Sequence, residues 1–258
     1  MVKLNGIKKS SGLLEGKKVL VTGGSGGLGR GICEVAAREG ANVAFTWYNN
    51  EKGAQKTEKI LQTYGNDYLS INIDLREQDS AGKIVETIVE KWGTLDALVN
   101  NAGVSESIPF ILIDNNDFYD LMELNLFAVF RLSQAAVRPM IRQKYGRIVN
   151  ISSIAGSRTI PSPVHYACSK GAIEGLTHSL AHEVGSYGIM VNAVAAGIFE
   201  GGLRSTIPEH HQQRYVNACA LSRFGTPMEC GELVAWLLSD RNTYMNGAVL
   251  YHDGGTLG

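Results

Sequence analysis

Short apolar runs alternate with helix-like segments along almost the whole chain. Runs rich in β-branched and aliphatic residues predict strands near residues 17–22, 43–47, 68–73, 97–100, 147–151, 190–194 and 249–251. Apolar residues that recur every three or four positions predict helices near residues 28–39, 52–63, 80–91, 117–143 and 165–186. Strands separated by helices form parallel sheets that are covered on both faces. The pattern therefore predicts an α/β protein with a doubly wound parallel sheet.

Two segments are less regular. Proline removes a backbone N–H from a helix, so the helix at 117–143 could break near Pro139. The segment at about 199–226, which contains His210 and His211, has the weakest pattern and is either a substrate lid or a pair of surface helices. No linker or repeat divides the chain. We therefore expect one domain over residues 1–258, with an N-terminal tail at 1–15 and a substrate-loop region at about 199–226.

Composition excludes several classes of protein. The chain has 258 residues, 30 of them glycine, and a net charge of −1. Glycine exceeds the usual ~7%, but no G-X-Y period indicates collagen, and the charge gives no reason to expect nucleic acid or an anionic membrane as a partner. Four cysteines without a C-x-x-C pair argue against a disulfide framework or a zinc site, and no apolar run is long enough to span a membrane. We expect a cytoplasmic protein that binds no metal.

A glycine-rich loop accounts for part of the glycine excess. The sequence TGGSGGLG at residues 22–29 follows the first predicted strand and opens the first predicted helix. Free N–H groups at a helix N-terminus bind the pyrophosphate of a dinucleotide, and glycine lets the backbone approach it closely. A tight turn is the alternative explanation, but the strand before the loop and the helix after it favour nucleotide binding. The fold is therefore expected to be of the Rossmann type.

The end of the second strand bears on the choice of cofactor. An acid at this place would bond the ribose 2′-hydroxyl of NAD and repel the 2′-phosphate of NADP. The sequence there is Thr46-Trp47-Tyr48-Asn49-Asn50, with neither an acid nor an arginine. We favour NADP(H), and NAD(H) stays open.

A tyrosine and a lysine form a candidate acid–base pair. Tyr166 and Lys170 are four residues apart and share one face of a predicted helix. A neighbouring ammonium favours the phenolate and lowers the pKa of a tyrosine, whose ordinary value near 10 is too high for efficient acid–base work at neutral pH. Ser153 follows the fifth strand, at the edge of the sheet where sites of α/β proteins form.

In combination, these motifs resemble the short-chain dehydrogenase/reductase family. The resemblance covers about residues 16–255 and rests on five motifs in chain order: Thr22-Gly23-x-x-x-Gly27-x-Gly29, Asn100-Asn101-Ala102-Gly103, Asn125, Ser153 and Tyr166-x-x-x-Lys170. It implies an oxidoreductase with the catalytic tetrad Asn125, Ser153, Tyr166 and Lys170. It also implies cofactor contacts from Gly23, Ser25, Gly26, Gly27, Leu28, Gly29, Trp47, Tyr48, Asp74, Leu75, Asn101, Ala102, Gly103, Tyr166, Lys170, Gly197, Ile198 and Phe199.

The resemblance also implies a mechanism. The cofactor delivers hydride to a carbonyl carbon while Ser153 binds the carbonyl oxygen and Tyr166 gives that oxygen a proton. Lys170 would bind the nicotinamide ribose and lower the pKa of Tyr166, and Asn125 would hold a water that returns protons.

The chain departs from the family pattern after the sixth strand. Relatives usually carry Pro-Gly there and a threonine shortly afterwards, whereas this chain has Ala196-Gly197 and then Gly201. Losing the proline frees φ and losing the threonine removes a hydroxyl, so we expect a looser or altered loop. His165, Ile160, Phe199 and Glu200 are candidate pocket residues.

Substrate and assembly are expectations from the same resemblance. The chain is most similar to 3-oxoacyl reductases of fatty-acid and polyketide synthesis, which dock an acidic carrier protein on two basic positions that fall here on Lys144 and Tyr187. Because only one is basic, the expectation that a carrier protein docks is weakened. We expect an NAD(P)(H)-dependent carbonyl reductase or alcohol dehydrogenase that acts on a small 3-oxoacyl-type or specialised-metabolite ketone, free or linked to a carrier or CoA. A sugar, polyol or steroid-type alcohol dehydrogenase and a catalytically silent nucleotide-binding regulator are the alternatives. We expect a homotetramer, or else a homodimer.

Overall fold

The computed structural model describes residues 12–158 and 160–256. Seven parallel strands form one sheet in the order β3-β2-β1-β4-β5-β6-β7. The strands are β1 (Lys18–Val21), β2 (Asn42–Trp47), β3 (Tyr68–Asn72), β4 (Ala97–Asn100), β5 (Gly146–Ser153), β6 (Ile189–Ala196) and β7 (Val249–His252). The predicted doubly wound fold is confirmed, with the order reversing between β1 and β4.

Eight α-helices connect and cover the strands in the described part of the chain. They are α1 (Gly27–Arg38), α2 (Glu51–Tyr64), α3 (Ser80–Trp92), α4 (Asn115–Met122), α5 (Ala128–Gln143), α6 (Val164–Val184), α7 (Glu209–Ala218) and α8 (Pro227–Leu238). One core contains buried residues of α1, α2 and α8, and the other contains residues of α3, α5 and α6. Strand alternation divides β1 between them, because Val19 and Val21 face the first core while Leu20 faces the second.

The helical segment predicted at 117–143 is interrupted, but not at the expected place. Helix α5 continues through Pro139 to Gln143, so a break near Pro139 is wrong. The interruption is a π-helical turn, Glu123–Phe127, between α4 and α5. A π turn inserts one residue into the helical ladder, and such turns are frequent at functional sites. Here it carries Asn125.

The structure gives detail to two regions that the sequence described only approximately. Residues 1–11 of the expected tail lie outside the described residues, but Leu14 is fully buried and its N–H donates to the oxygen of Glu39, so residues 12–15 belong to the folded body. The segment at 199–226 contains a 3₁₀ turn, Gly202–Thr206, followed by α7. Short helical pieces of this kind have little room for an apolar period, which explains the weak pattern.

In the described part of the chain, no helix is long and apolar enough to cross a membrane. Likewise, residues 12–158 and 160–256 contain no group of three histidine, cysteine, aspartate or glutamate side chains that could hold a metal ion.

Candidate active site

A cleft of about 1070 Å³ lies along the carboxyl ends of the strands, at the place where the strand order reverses. We call one part of it the nucleotide half, which is lined by the glycine loop, the ends of β2 and β3 and the residues after β4. The other part, the substrate half, is lined by residues from segments 104–110, 160–164 and 203–218. Ser153, Tyr166 and Lys170 also line the cleft. Open α/β sheets bind ligands at this place.

The glycine loop is built so that only backbone faces the cleft. Helix α1 begins at Gly27, and its N-cap Gly26 offers no side-chain cap to the first N–H groups. Gly23 has a φ of +67°, which disfavours other residues. A Cβ at Gly29 would collide with the carbonyl oxygen of Gly23 and lie 2.7 Å from Nδ2 of Asn101. This concave loop with free N–H groups at a helix N-terminus fits a pyrophosphate.

The residues after β4 are fastened to the same loop. The hydroxyl of Thr22 accepts hydrogen bonds of 2.9 Å from the N–H groups of both Asn101 and Ala102. The Asn101 amide donates to the oxygen of Thr22 over 2.8 Å. A Cβ at Gly23 would lie 3.0 Å from Cα of Ala102, so the two segments are in close contact. The predicted Asn101-Ala102-Gly103 motif therefore lies beside the glycine loop.

At the end of the nucleotide half, the structure adds a cation that the sequence did not reveal. The guanidinium of Arg76 lies 5.8 Å from the ring centroid of Tyr48 and pairs with Asp74 over 2.6 Å. The hydrogen bond from Arg76 is the main cause that lowers the pKa of Asp74. The end of β2 thus has an arginine beside it in space, although none stands there in sequence.

Trp47, which also lines the cleft, donates from Nε1 to the Ser70 hydroxyl over 3.0 Å.

The tyrosine and lysine predicted as a pair meet in the centre of the cleft. The ammonium of Lys170 lies 5.7 Å from the ring centroid of Tyr166 and donates to the oxygen of Ile151 over 2.9 Å. Burial lowers the pKa of Lys170 to about 8. Burial also raises the pKa of Tyr166, and a hydrogen bond with Ser153 lowers it to a smaller extent. The net direction for Tyr166 is therefore opposite to the expected one, because desolvation disfavours the phenolate.

Asn125 joins the π turn to this centre. Its Oδ1 accepts from the N–H of Val104 and its Nδ2 donates to the oxygen of Val104, both over 2.9 Å, while Nδ2 also lies 3.2 Å from the Ser169 hydroxyl. A Cβ at Gly103 would lie 3.1 Å from Oδ1 of Asn125 and 3.7 Å from the Lys170 ammonium. The amide is thus occupied by protein partners, and it holds the segment after β4 beside Lys170.

The loop after β6 is altered but tied down. The N–H of Gly197 donates to the oxygen of His252 over 3.0 Å, and the N–H of Gly225 donates to the oxygen of Ile198 over 3.1 Å. Phe199 is buried and meets the His252 ring edge-on at 5.5 Å. Gly201 has a φ of +74° and lies against Gly27. Of the two expectations, a looser or an altered loop, these contacts agree with an altered one, because the backbone at Gly201 is one that a threonine rarely adopts.

The predicted substrate residues divide into two groups. Ile160 and Phe199 line the cleft, whereas His165 and Glu200 do not. His165 is 1% exposed, and neither ring nitrogen has a hydrogen-bond partner among the described residues. The structure instead brings in His211 and Arg214 of α7. The spacing of residues 208, 211, 215 and 218 along this helix is the only sequence signal that could have indicated a cleft-facing side.

Comparisons with known proteins agree with this geometry. Residues 23–256 match the family described as enoyl-(acyl carrier protein) reductase. The chain is 35% identical over 242 residues to the 3-oxoacyl-[acyl-carrier-protein] reductase FabG of Aquifex aeolicus, covering 94% of this chain and 98% of that protein. It is 34% identical over 242 residues to the Vibrio cholerae protein of the same name, with the same coverage.

Solved structures show the same similarity. A short-chain dehydrogenase from Burkholderia cenocepacia in complex with NADP superposes with a TM-score of 0.87 at 31% identity, covering 94% of this chain and 98% of that chain. Levodione reductase superposes with a TM-score of 0.89 at 28% identity and the same coverage. The family predicted from the motifs is confirmed: the chain is an oxidoreductase that belongs to the short-chain dehydrogenase/reductase family.

Proposed function

We propose that the protein is an NADP(H)-preferring carbonyl reductase that reduces a 3-oxoacyl-type or related ketone. The observation that carries the proposal is the meeting of Ser153, Tyr166 and Lys170 beside a glycine loop that fits a pyrophosphate. The 3-oxoacyl substrate is supported by the names of the FabG relatives. A sugar, polyol or steroid-type alcohol is the alternative within the same chemistry.

The shifts in the pKa values of Tyr166 and Lys170 support reduction of a ketone. When bound, the nicotinamide supplies hydride to the carbonyl carbon. A phenol with a raised pKa keeps its proton at neutral pH, so Tyr166 can give it to the oxygen that gains negative charge. Ser153 lies within hydrogen-bonding distance of Tyr166, and in the reaction its hydroxyl would donate to the substrate oxygen instead. Lys170, with a pKa of about 8, stays largely protonated at neutral pH, and in this proposal it binds the nicotinamide ribose.

Asn125 acts as a positioning residue in this proposal. Its side chain is engaged by Val104 and Ser169, so the water that the resemblance assigns to it would lie on another atom of the π turn. The proposed cofactor contacts come from two groups of residues that line the cleft. One group lines the nucleotide half, and the other is the loop after β6, with Gly197, Ile198 and Phe199. Arg76 supports NADP(H) over NAD(H), because its guanidinium, which also pairs with Asp74, brings hydrogen-bond donors to the end of β2 where a 2′-phosphate would lie.

Assembly and compartment remain part of the proposal. Exposed aromatic side chains at Tyr119, Phe127 and Phe130 on α4, the π turn and α5 support packing against a second copy, in a homotetramer or a homodimer. All four cysteines are free thiols, which supports a reducing, cytoplasmic compartment. Lys144 is exposed and Tyr187 half-exposed, so the surface offers a carrier protein one cation at these two positions.

The test compares wild-type protein with Tyr166→Phe. We expect NADPH oxidation with 3-oxoacyl thioesters, and a loss of kcat of about a thousandfold or more in the variant, because the phenol proton is removed while the ring remains. Cofactor affinity, measured by fluorescence titration, should stay within about twofold. Near-wild-type turnover in Tyr166→Phe would contradict the assignment. Cofactor binding without turnover over thioesters, sugars, polyols and cyclic ketones would favour the silent regulator.

A further inference from the structure

One face of α7 points into the substrate half. Pro208 at its N-cap, His211, Tyr215 and Ala218 recur at helical spacing, and all of them line the cleft together with Arg214. Three other residues of the helix, His210, Gln213 and Asn217, do not line the cleft, and the last two hydrogen-bond each other over 3.0 Å. A helix that covers a ketone site thus brings an imidazole and a guanidinium into the cleft.

No carboxylate that lines the cleft pairs with the guanidinium of Arg214. Asp74 is the one acidic residue among those that line the cleft in the described part of the chain, and it pairs with Arg76 at the opposite end. Arg214 has no hydrogen bond or ion pair with any described residue. The whole chain has a net charge of −1, so the positive charge of the substrate half is local. Clefts lined by one sign of charge concentrate ligands of the other sign.

The side chain of the neighbouring residue Arg204 is already bound to protein partners. Its Nε donates to Oε1 of Gln212 over 2.8 Å, and its guanidinium stacks 4.1 Å from the ring centroid of Phe224. Arg204 therefore braces the 3₁₀ turn against α7. His211 and Arg214 remain available to a ligand, and Ile160, Leu203 and Ile207 supply apolar wall in the same half.

We propose that His211 and Arg214 form an anion subsite that binds a phosphate or carboxylate of the substrate, at a place other than the reacting ketone. The inference rests on the proposed reductase function and narrows its substrate class to ketones that carry an anionic group. The planar guanidinium of Arg214 matches either group through two parallel hydrogen bonds, and His211 adds a third donor. The apolar walls contact the carbon chain between the two polar ends.

The kinetic test uses pairs of substrates that differ in charge. Acetoacetyl-CoA is compared with the acetoacetyl thioester of N-acetylcysteamine, and acetoacetate with its methyl ester. We expect Arg214→Gln to lower kcat/KM for the anionic member by about tenfold or more, mainly through KM, and to change the neutral member by less than about twofold. A loss confined to the CoA pair identifies phosphate as the ligand, and a loss confined to the acid pair identifies carboxylate.

An exposed histidine elsewhere in the chain supplies a matched control. His211→Gln should weaken anionic substrates selectively, whereas His182→Gln, the same change on α6 away from the cleft, should not. Arg142→Gln, an exposed arginine on α5 away from the cleft, controls for net charge. Equal losses for charged and neutral substrates, or no loss in Arg214→Gln, would overturn the subsite.

A binding measurement separates this inference from the proposed function. Calorimetry with CoA and with acetoacetate, on protein saturated with NADP⁺, needs no turnover. Weaker binding of either anion to Arg214→Gln by about tenfold would support the subsite even if no ketone is reduced. Active enzyme whose wild-type and variant forms bind both anions equally would overturn the subsite and leave the reductase proposal standing.

Discussion

The two halves of the cleft are built by different means. The nucleotide half consists mainly of backbone: four glycines of one loop, a helix N-terminus and the hydroxyl of Thr22 hold two chain segments in contact. The substrate half consists of side chains from three segments that are far apart in sequence. Backbone contacts tolerate no added atoms, whereas side-chain walls can change one residue at a time. The first half therefore specifies one class of ligand, and the second can be adapted to many.

The largest effect is expected where the backbone contact is closest. Gly29→Ala places a methyl group against the carbonyl oxygen of Gly23 and the amide of Asn101, and neither can move without opening the loop. We expect a loss of about 3 kcal/mol in the free energy of unfolding, as for other overpacked sites, together with weaker cofactor binding. Urea denaturation and fluorescence titration measure the two effects.

The control is another glycine-to-alanine change in a helix. A Cβ at Gly82 in α3 meets nothing within 4 Å, so Gly82→Ala should stabilise the protein by about 0.5–1 kcal/mol through the lost flexibility of the unfolded chain. If Gly29→Ala lowered the free energy of unfolding no more than Gly82→Ala, the nucleotide half would not depend on close backbone contact, and its contrast with the substrate half would not hold.

Lys170 lies where the two halves meet, and its burial makes stability depend on pH. Its pKa in the folded protein is about 8, below the ordinary lysine value of 10.5, so between these values the unfolded chain binds more protons. Stability therefore rises with pH in this window. Relative to Lys170→Met, wild-type protein should gain about 2 kcal/mol between pH 7.5 and pH 10.

Denaturation midpoints at several pH values measure this gain. The exposed residue Lys52 provides a control for the loss of one lysine charge, as Lys52→Met. A constant difference between wild type and Lys170→Met across the window would mean that the ammonium is solvated in the folded protein.

The same contrast explains how much could be predicted from the sequence. The glycine loop was predicted because its residues are contiguous and lie between a strand and a helix. The structure places them in that position, along the cleft. Arg76 was missed because β2 and β3 pair in register, Trp47 opposite Asn72, which brings the residues after β3 beside Tyr48. His211 and Arg214 were missed because α7 is too short and polar for a clear apolar face.

Asn125 lies between these cases. Its type and position were predicted, but the π turn that carries it was not, because periodicity over a long helix hides the insertion of one residue. Pro139, where the sequence predicts a break, lies inside α5 without ending it. Sequence patterns thus identified the residues of the centre better than the backbone that holds them.

The smallest expected effect concerns the preference of the nucleotide half for NADPH over NADH. Arg76→Gln removes the cation beside Tyr48 and leaves Asp74 without its ion-pair partner. Both changes disfavour a 2′-phosphate, so we expect NADPH to bind about tenfold more weakly while the affinity for NADH changes by less than about twofold. Fluorescence titration of both nucleotides, and calorimetry with 2′,5′-ADP and 5′-AMP, measure the difference without turnover.

Arg76→Lys keeps the charge but not the planar fork, so it should retain most of the preference for NADPH. If Arg76→Gln weakens both nucleotides equally, the guanidinium stacks on the adenine that they share instead of binding the phosphate. In that case the nucleotide half owes its selectivity to the missing acid at the end of β2, and the side chains beside it add affinity alone.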